Sequence, residues 1–98
     1  MAVYEKYLSQ NAIIYHGDCE VALNDVPDES VDLVFADPPY NIGKLFGEFK
    51  DAWPSDKHYA DWCYRWLDLC IRKLKPSGSL YVMTSTQAMP LSGKFFRW

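Results

Sequence analysis

The stretch VDLVFADPPYNIG, residues 31–43, decides how this chain folds. Residues 31 to 36 are nearly all apolar, the pattern of a central strand in a parallel sheet. The run ends on two prolines, which fix φ and carry no N–H, so Asp37-Pro38-Pro39-Tyr40 is a stiff, extended peptide. No helical ladder consumes its carbonyls, and they are available as outward acceptors. Asp37 adds a carboxylate, and Tyr40 a flat ring at a fixed offset. Such a set suits a planar group bearing an NH₂: two acceptors take its hydrogens while the ring stacks on its face. The plain structural alternative is a proline-stiffened turn with a capping Asp. Position favours a site, because the motif lies at the mouth of a buried strand and opens a long loop.

Outward from this stretch, residues 12 to 15 (AIIY) read as a second buried strand, followed by His16, Gly17 and Asp18. Residues 19 to 25 suit a short helix closed by Pro27. Residues 41 to 54 read as a loop, with Phe46, Phe49 and Trp53 falling at no regular period. In SDKHYADWCYRWLDLCIRKLK, residues 55–75, apolar side chains recur at Tyr59, Trp62, Cys63, Trp66, Leu67, Cys70, Ile71 and Leu74. That alternation of three and one is a helix with one buried face. Ser55 caps its start, Arg72, Lys73 and Lys75 suit its carboxyl end, and Pro76 with Gly78 stops it. SLYVMT, residues 79–84, is a third strand. The order strand, helix, strand, helix, strand predicts one parallel sheet with right-handed crossovers, a part of a doubly wound α/β fold. Ligands of such sheets bind beyond the carboxyl ends of the strands, where this reading places both Asp18 and the DPPY stretch.

Ninety-eight residues make one small domain, and an apolar fraction of 49% suits a globular core. A net charge of −3 argues against stand-alone electrostatic capture of nucleic acid. Cys19, Cys63 and Cys70 form no C-x-x-C pair; an odd count fits a reducing compartment, with Cys63 and Cys70 as buried helical thiols. No basic-then-apolar leader and no stretch of spanning length is present, so the expectation is a cytoplasmic protein without a membrane contact. His16 and His58 lack the spaced partners of a metal site. Lys44 and Lys50 read first as solvated loop charges and second as phosphate contacts.

VDLVFADPPYNIG resembles the catalytic motif of the amino-methyltransferases that modify DNA bases, and the likeness runs over roughly residues 11–89. HGDCEVALNDVPDESVDLVFADPPYNIGK is similar to the opening of the β-group adenine methyltransferases, with DPPY as the form associated mainly with adenine. The resemblance implies an S-adenosylmethionine-dependent methyltransferase fold acting on double-stranded DNA with the target base flipped out. It implies catalytic roles for Asp37, Pro38, Pro39 and Tyr40, and cofactor contacts at Asp18, Cys19 and Asp37. Asp18 reads equally as the N-cap of the helix over residues 19–25. Acceptors at Asp37 and the Pro38 carbonyl would localise the lone pair of the exocyclic amine and stabilise its growing positive charge. An aspartate carboxylate is far too weak a base to remove a proton from a neutral aryl amine first.

The glycine-rich turn F-x-G-x-G of this family is missing: Gly17, Gly43, Gly47, Gly78 and Gly93 include no pair at that spacing. The expectation is therefore a catalytic-motif portion over 1–89, a divergent tail over 90–98, and no methyl transfer by the chain alone. The sheet would then end on an open edge, leaving Trp62 and Trp66 short of cover and inviting a second copy or a complementing chain. The same motif also serves methyltransferases acting on cytosine, RNA or protein, and a non-enzymatic remnant that only binds a partner is the remaining alternative.

Overall fold

The structure, a computed structural model, describes residues 4–41, 43, 45–46, 49–50 and 52–84. The tail assigned to residues 90–98 and the lysine at 44 lie outside the described residues. In chain order the elements are β1 (Tyr4–Leu8), β2 (Ile13–Gly17), α1 (Cys19–Ala22) with a 3₁₀ turn (Leu23–Asp25), β3 (Val31–Ala36), β4 (Leu45–Phe46), β5 (Phe49–Lys50), α2 (Asp56–Lys73) and β6 (Leu74–Val82).

The β3–α2–β6 unit is as the apolar periods predict. β3 and β6 pair in parallel, with Val34 opposite Leu80 and Ala36 opposite Val82. Ser55 caps α2, its hydroxyl accepting the His58 N–H at 3.2 Å. One face of the helix buries Tyr59, Cys63, Trp66, Leu67 and Cys70, against which Val34, Ala36, Leu80 and Val82 pack. Trp66 is only 4% exposed and Trp62 leans into the same cluster, so neither ring lacks cover as the sequence had led us to expect. The period-two alternation puts Leu33, Phe35, Tyr81 and Met83 on the opposite, exposed face of the two strands. A strand buried on both faces is thus found buried on one, among the described residues.

The helix ends earlier than its proline suggests. Leu74 is already extended (ψ 140°), and Pro76 lies inside β6. The register explains how: Val31 faces Leu74 and Leu33 faces Ser79, so residues 75–78 bulge out of the ladder. A proline, which cannot donate to a ladder, fits in such a bulge. Beneath it, the Lys73 ammonium is buried (8% exposed) and paired with Asp28 at 2.7 Å.

The amino-terminal part departs from the single-sheet expectation. β2 does not join β3; it pairs antiparallel with β1, Tyr4 opposite Gly17 and Leu8 opposite Ile13, in a sheet of its own. The turn between them is closed by the Ser9 N–H on the Ala12 carbonyl at 2.9 Å. Pairing neighbours across so short a turn costs little loop-closure entropy, which favours the hairpin. Ile13 and Ile14 are accordingly 52% and 63% exposed, not buried. The predicted loop of residues 41–54 carries the short antiparallel pair β4–β5. The doubly wound sheet is therefore represented by one parallel pair of strands with a helix on one face. Among the described residues no helix is long and apolar enough to cross a membrane.

Candidate functional site

Asp37 follows directly on β3, so its position is fixed by the ladder that ends at Ala36 and Val82, extended by the Met83 N–H on the Ala36 carbonyl at 2.9 Å. The carboxylate is exposed. The Tyr40 hydroxyl donates to Asp37 Oδ1 at 2.6 Å, closing the DPPY segment on itself. That hydrogen bond, with some desolvation and the carboxylate's charge, raises the Tyr40 phenol above its ordinary value, because ionisation would surrender the donated proton. Asp37 Oδ2 remains without a partner among the described residues.

The two proline carbonyls are treated differently. The Pro39 carbonyl accepts the hydroxyl of Tyr59 at 2.7 Å. Among the described residues the Pro38 carbonyl accepts nothing, so the outward acceptors expected of this peptide reduce to one carbonyl beside one carboxylate oxygen. Tyr59 stands in the first turn of α2, its own N–H bonded to the Ser55 carbonyl at 3.1 Å. It is 4% exposed, with Trp53 edge-on at 4.9 Å and Trp62 tilted at 6.0 Å. The βαβ crossover causes this meeting, since it returns the amino end of the helix to the carboxyl end of the strand before it.

The far end of the motif is tied as well. Asn41 adopts φ 60° and its side-chain carbonyl accepts the Trp53 N–H at 3.0 Å. Asn tolerates this left-handed conformation better than most residues do. Neither Asn41 nor Tyr59 stood out as a site residue in the sequence. Asn41 follows the motif directly, and a signal existed in its turn-forming character. Tyr59 was hidden, since its ring completes the apolar helix face and says nothing of its hydroxyl.

Asp18 and Cys19 belong to another part of the fold, where β2 of the hairpin runs into α1. The structure takes the N-cap alternative for Asp18: Oδ1 accepts the Glu20 N–H at 2.8 Å. The strand it follows belongs to the hairpin, so Asp18 does not sit beside Asp37 at the rim of a shared sheet. The element is joined to α2 by Arg65 and Glu20 at 3.4 Å. Cys19 is exposed, yet local desolvation and then the Asp18 and Glu20 carboxylates push its thiol up. Cys63 and Cys70 are buried, as expected, and burial pushes both thiols up. All three are therefore poor nucleophiles at neutral pH. Among the described residues no three His, Cys, Asp or Glu side chains converge as a metal site.

Sequence comparison adds to this geometry. Residues 31–97 match the DNA methylase family. The chain is 51% identical over 77 residues to the DNA adenine methyltransferase YhdJ of Escherichia coli (strain K12), a span of 79% of this chain and 26% of that protein. It is 49% identical over 69 residues to the type II methyltransferase M.BamHI of Bacillus amyloliquefaciens, 70% of this chain and 16% of that one. Against the type II methyltransferase M.BglII of Bacillus subtilis it is 43% identical over 89 residues, 85% of this chain and 24% of the relative. The chain thus spans about a quarter or less of the length of these relatives.

Proposed function

Because the chain belongs to the DNA methylase family, we propose that it supplies the amine-holding half of a DNA methyltransferase active site, with the exocyclic amine of adenine as its target. The observation that carries this reading is Asp37 at the mouth of β3, its Oδ1 held by the Tyr40 hydroxyl at 2.6 Å and followed in the chain by Pro38, whose carbonyl meets no donor among the described residues. Two such acceptors take the two amine hydrogens, turn the nitrogen lone pair out of conjugation, and stabilise the positive charge that grows on nitrogen. The Tyr40 ring stacks on the base once it has flipped from the duplex, a step costing a few kcal/mol. The Asp37 carboxylate acts electrostatically and receives a proton only after nitrogen has become cationic.

The methyl donor of this reading is S-adenosylmethionine, whose sulfonium supplies an electrophilic methyl group. Its ammonium, ribose hydroxyls and adenine amine are hydrogen-bond donors, and the exposed carboxylate oxygens of Asp18 and Asp37 suit them as acceptors. Cys19, beside Asp18, would offer only its backbone and an un-ionised thiol. The sequence holds no F-x-G-x-G turn, so on this reading Asp18, Cys19 and Asp37 would supply only part of the cofactor's contacts. By itself the 98-residue chain is therefore expected to transfer no methyl group, and its net charge of −3 predicts weak duplex binding. A second copy or a complementing chain is the partner this reading calls for.

The test grafts this segment in place of its counterpart in the E. coli relative and measures labelled methyl incorporation into DNA. Incorporation into adenine, with little into cytosine-only DNA or RNA, is expected. Asp37→Ala should lower it at least ~100-fold while leaving the protein folded, in line with the loss of transition-state stabilisation. Near-parental turnover in that variant would sink the assignment, as would incorporation by the ungrafted chain for the claim of its inactivity.

A further inference from the structure

The hydroxyl of Tyr59 meets the Pro39 carbonyl at 2.7 Å from a side chain that is 96% covered and wedged between Trp53 and Trp62. A buried phenol needs an acceptor, and a core position on the helix could have found one in many places. Here it takes the Pro39 carbonyl, in the last peptide of DPPY. Proline has no N–H and only one soft backbone dihedral, so Pro39 can be held by little except its carbonyl. Gripping that atom fixes the plane of the Pro39–Tyr40 peptide. It also sets the Pro38–Pro39 peptide before it, whose carbonyl meets no donor among the described residues.

We infer that Tyr59 is a positioning residue for methyl transfer: by holding the Pro39 carbonyl it aims the Pro38 carbonyl and Asp37 together at one amine. The inference rests on the amine-holding role proposed above and deepens it. Tyr59 touches neither substrate nor cofactor in this scheme; it acts through the main chain. It makes α2 a part of the site, since the first helical turn and the strand end are joined by this bond. Displacing acceptors by about 1 Å is enough to cost on the order of 10²-fold in rate, which is the scale on which such a residue matters.

The experiment uses the grafted enzyme with Tyr59→Phe, which keeps the ring between Trp53 and Trp62 and removes only the hydroxyl. The expected result is a fall in kcat of ~10- to 100-fold, with KM for DNA and for S-adenosylmethionine within about twofold of the parent. A kcat within twofold of the parent would overturn the inference. So would a rise in KM at unchanged kcat, which would place Tyr59 in binding. A second measurement on the 98-residue chain itself keeps the two proposals apart. The Pro39 carbonyl carbon resonance should shift in Tyr59→Phe, and the Pro38 carbonyl resonance should follow. If the graft transfers no methyl group, the functional reading fails and takes the catalytic part of the inference with it, whereas unshifted carbonyls in an active graft overturn the inference alone.

Discussion

Asn41, at φ 60°, accepts the backbone N–H of Trp53 at 3.0 Å, so the chain leaves the DPPY motif and returns to the same point before α2 begins. Asn41→Ala loses both the acceptor and the tolerance for positive φ, and should destabilise the fold by about 1–3 kcal/mol in urea unfolding. Asn41→Gly relieves the backbone and should recover part of that loss, while Trp53 amide exchange accelerates in both variants. Equal losses in the two would mean that the hydrogen bond carries the whole effect.

Tyr40 and Asp37 predict a titration. The hydrogen bond raises the Tyr40 phenol, so the folded state binds its proton more tightly than the unfolded state. The associated stability is fully present below the ordinary tyrosine value near 10 and is lost as pH rises through the folded value. The ultraviolet difference between parent and Tyr40→Phe should therefore titrate above a free tyrosine, and Asp37→Asn should bring it back down. A midpoint unmoved by Asp37→Asn would break the link between the two side chains.

Lys73 and Asp28 predict the acid limb. The Lys73 hydrogen bond, then its charge, hold the Asp28 carboxyl below its ordinary value. That contribution is present above about pH 4 and fades as pH falls through the lower, folded value. Asp28→Asn should be the less stable protein at pH 7, and the gap should close in strong acid. Lys73→Met, which removes the buried charge with its partner's task, should be milder than Asp28→Asn. A gap independent of pH would show that the pair contributes nothing through ionisation.

Gly78 predicts a steric limit. A Cβ there would meet Leu74 Cδ2 at 2.8 Å and the carbonyls of Asp32 and Lys75 at 3.1 Å. Two of those atoms are backbone and cannot yield cheaply. Gly78→Ala should cost about 1–3 kcal/mol by thermal or urea unfolding, against about 0.5 kcal/mol or less for exposed Ser79→Ala. A neutral Gly78→Ala would mean that the bulge of residues 75–78 shifts freely.

What the sequence made legible follows physical range. α2 was readable because its period repeats over eighteen residues and its cap is local. β3 and β6 were readable because a helix between two apolar runs leaves parallel pairing as the short solution. The place of β2 was not: Ile13–Gly17 could pair with the neighbouring β1 or with β3 beyond α1, and the polar Tyr4–Leu8 strand gave no apolar run to find. Pro76 misled the helix boundary because it marks a bulge as readily as a stop. At the site, the stiffness and position of DPPY could be read from four letters. The fixing of its carbonyls by Tyr59 could not, because that bond depends on how the crossover closes.

The pairing of Ala36 with Val82, 46 positions later, has a consequence for synthesis. At ~5–20 residues per second a ribosome needs roughly 2–9 s to add that length. A nascent helix forms within microseconds of becoming available, so α2 waits on β6 and not the reverse. During those seconds VDLVFA lacks its neighbour, with its unpaired main-chain groups and the side chain of Val34 offered to any chaperone or passing strand edge. The geometry around Asp37 comes into being only when the ladder reaches Val82, making the site one of the last parts of this unit to take shape.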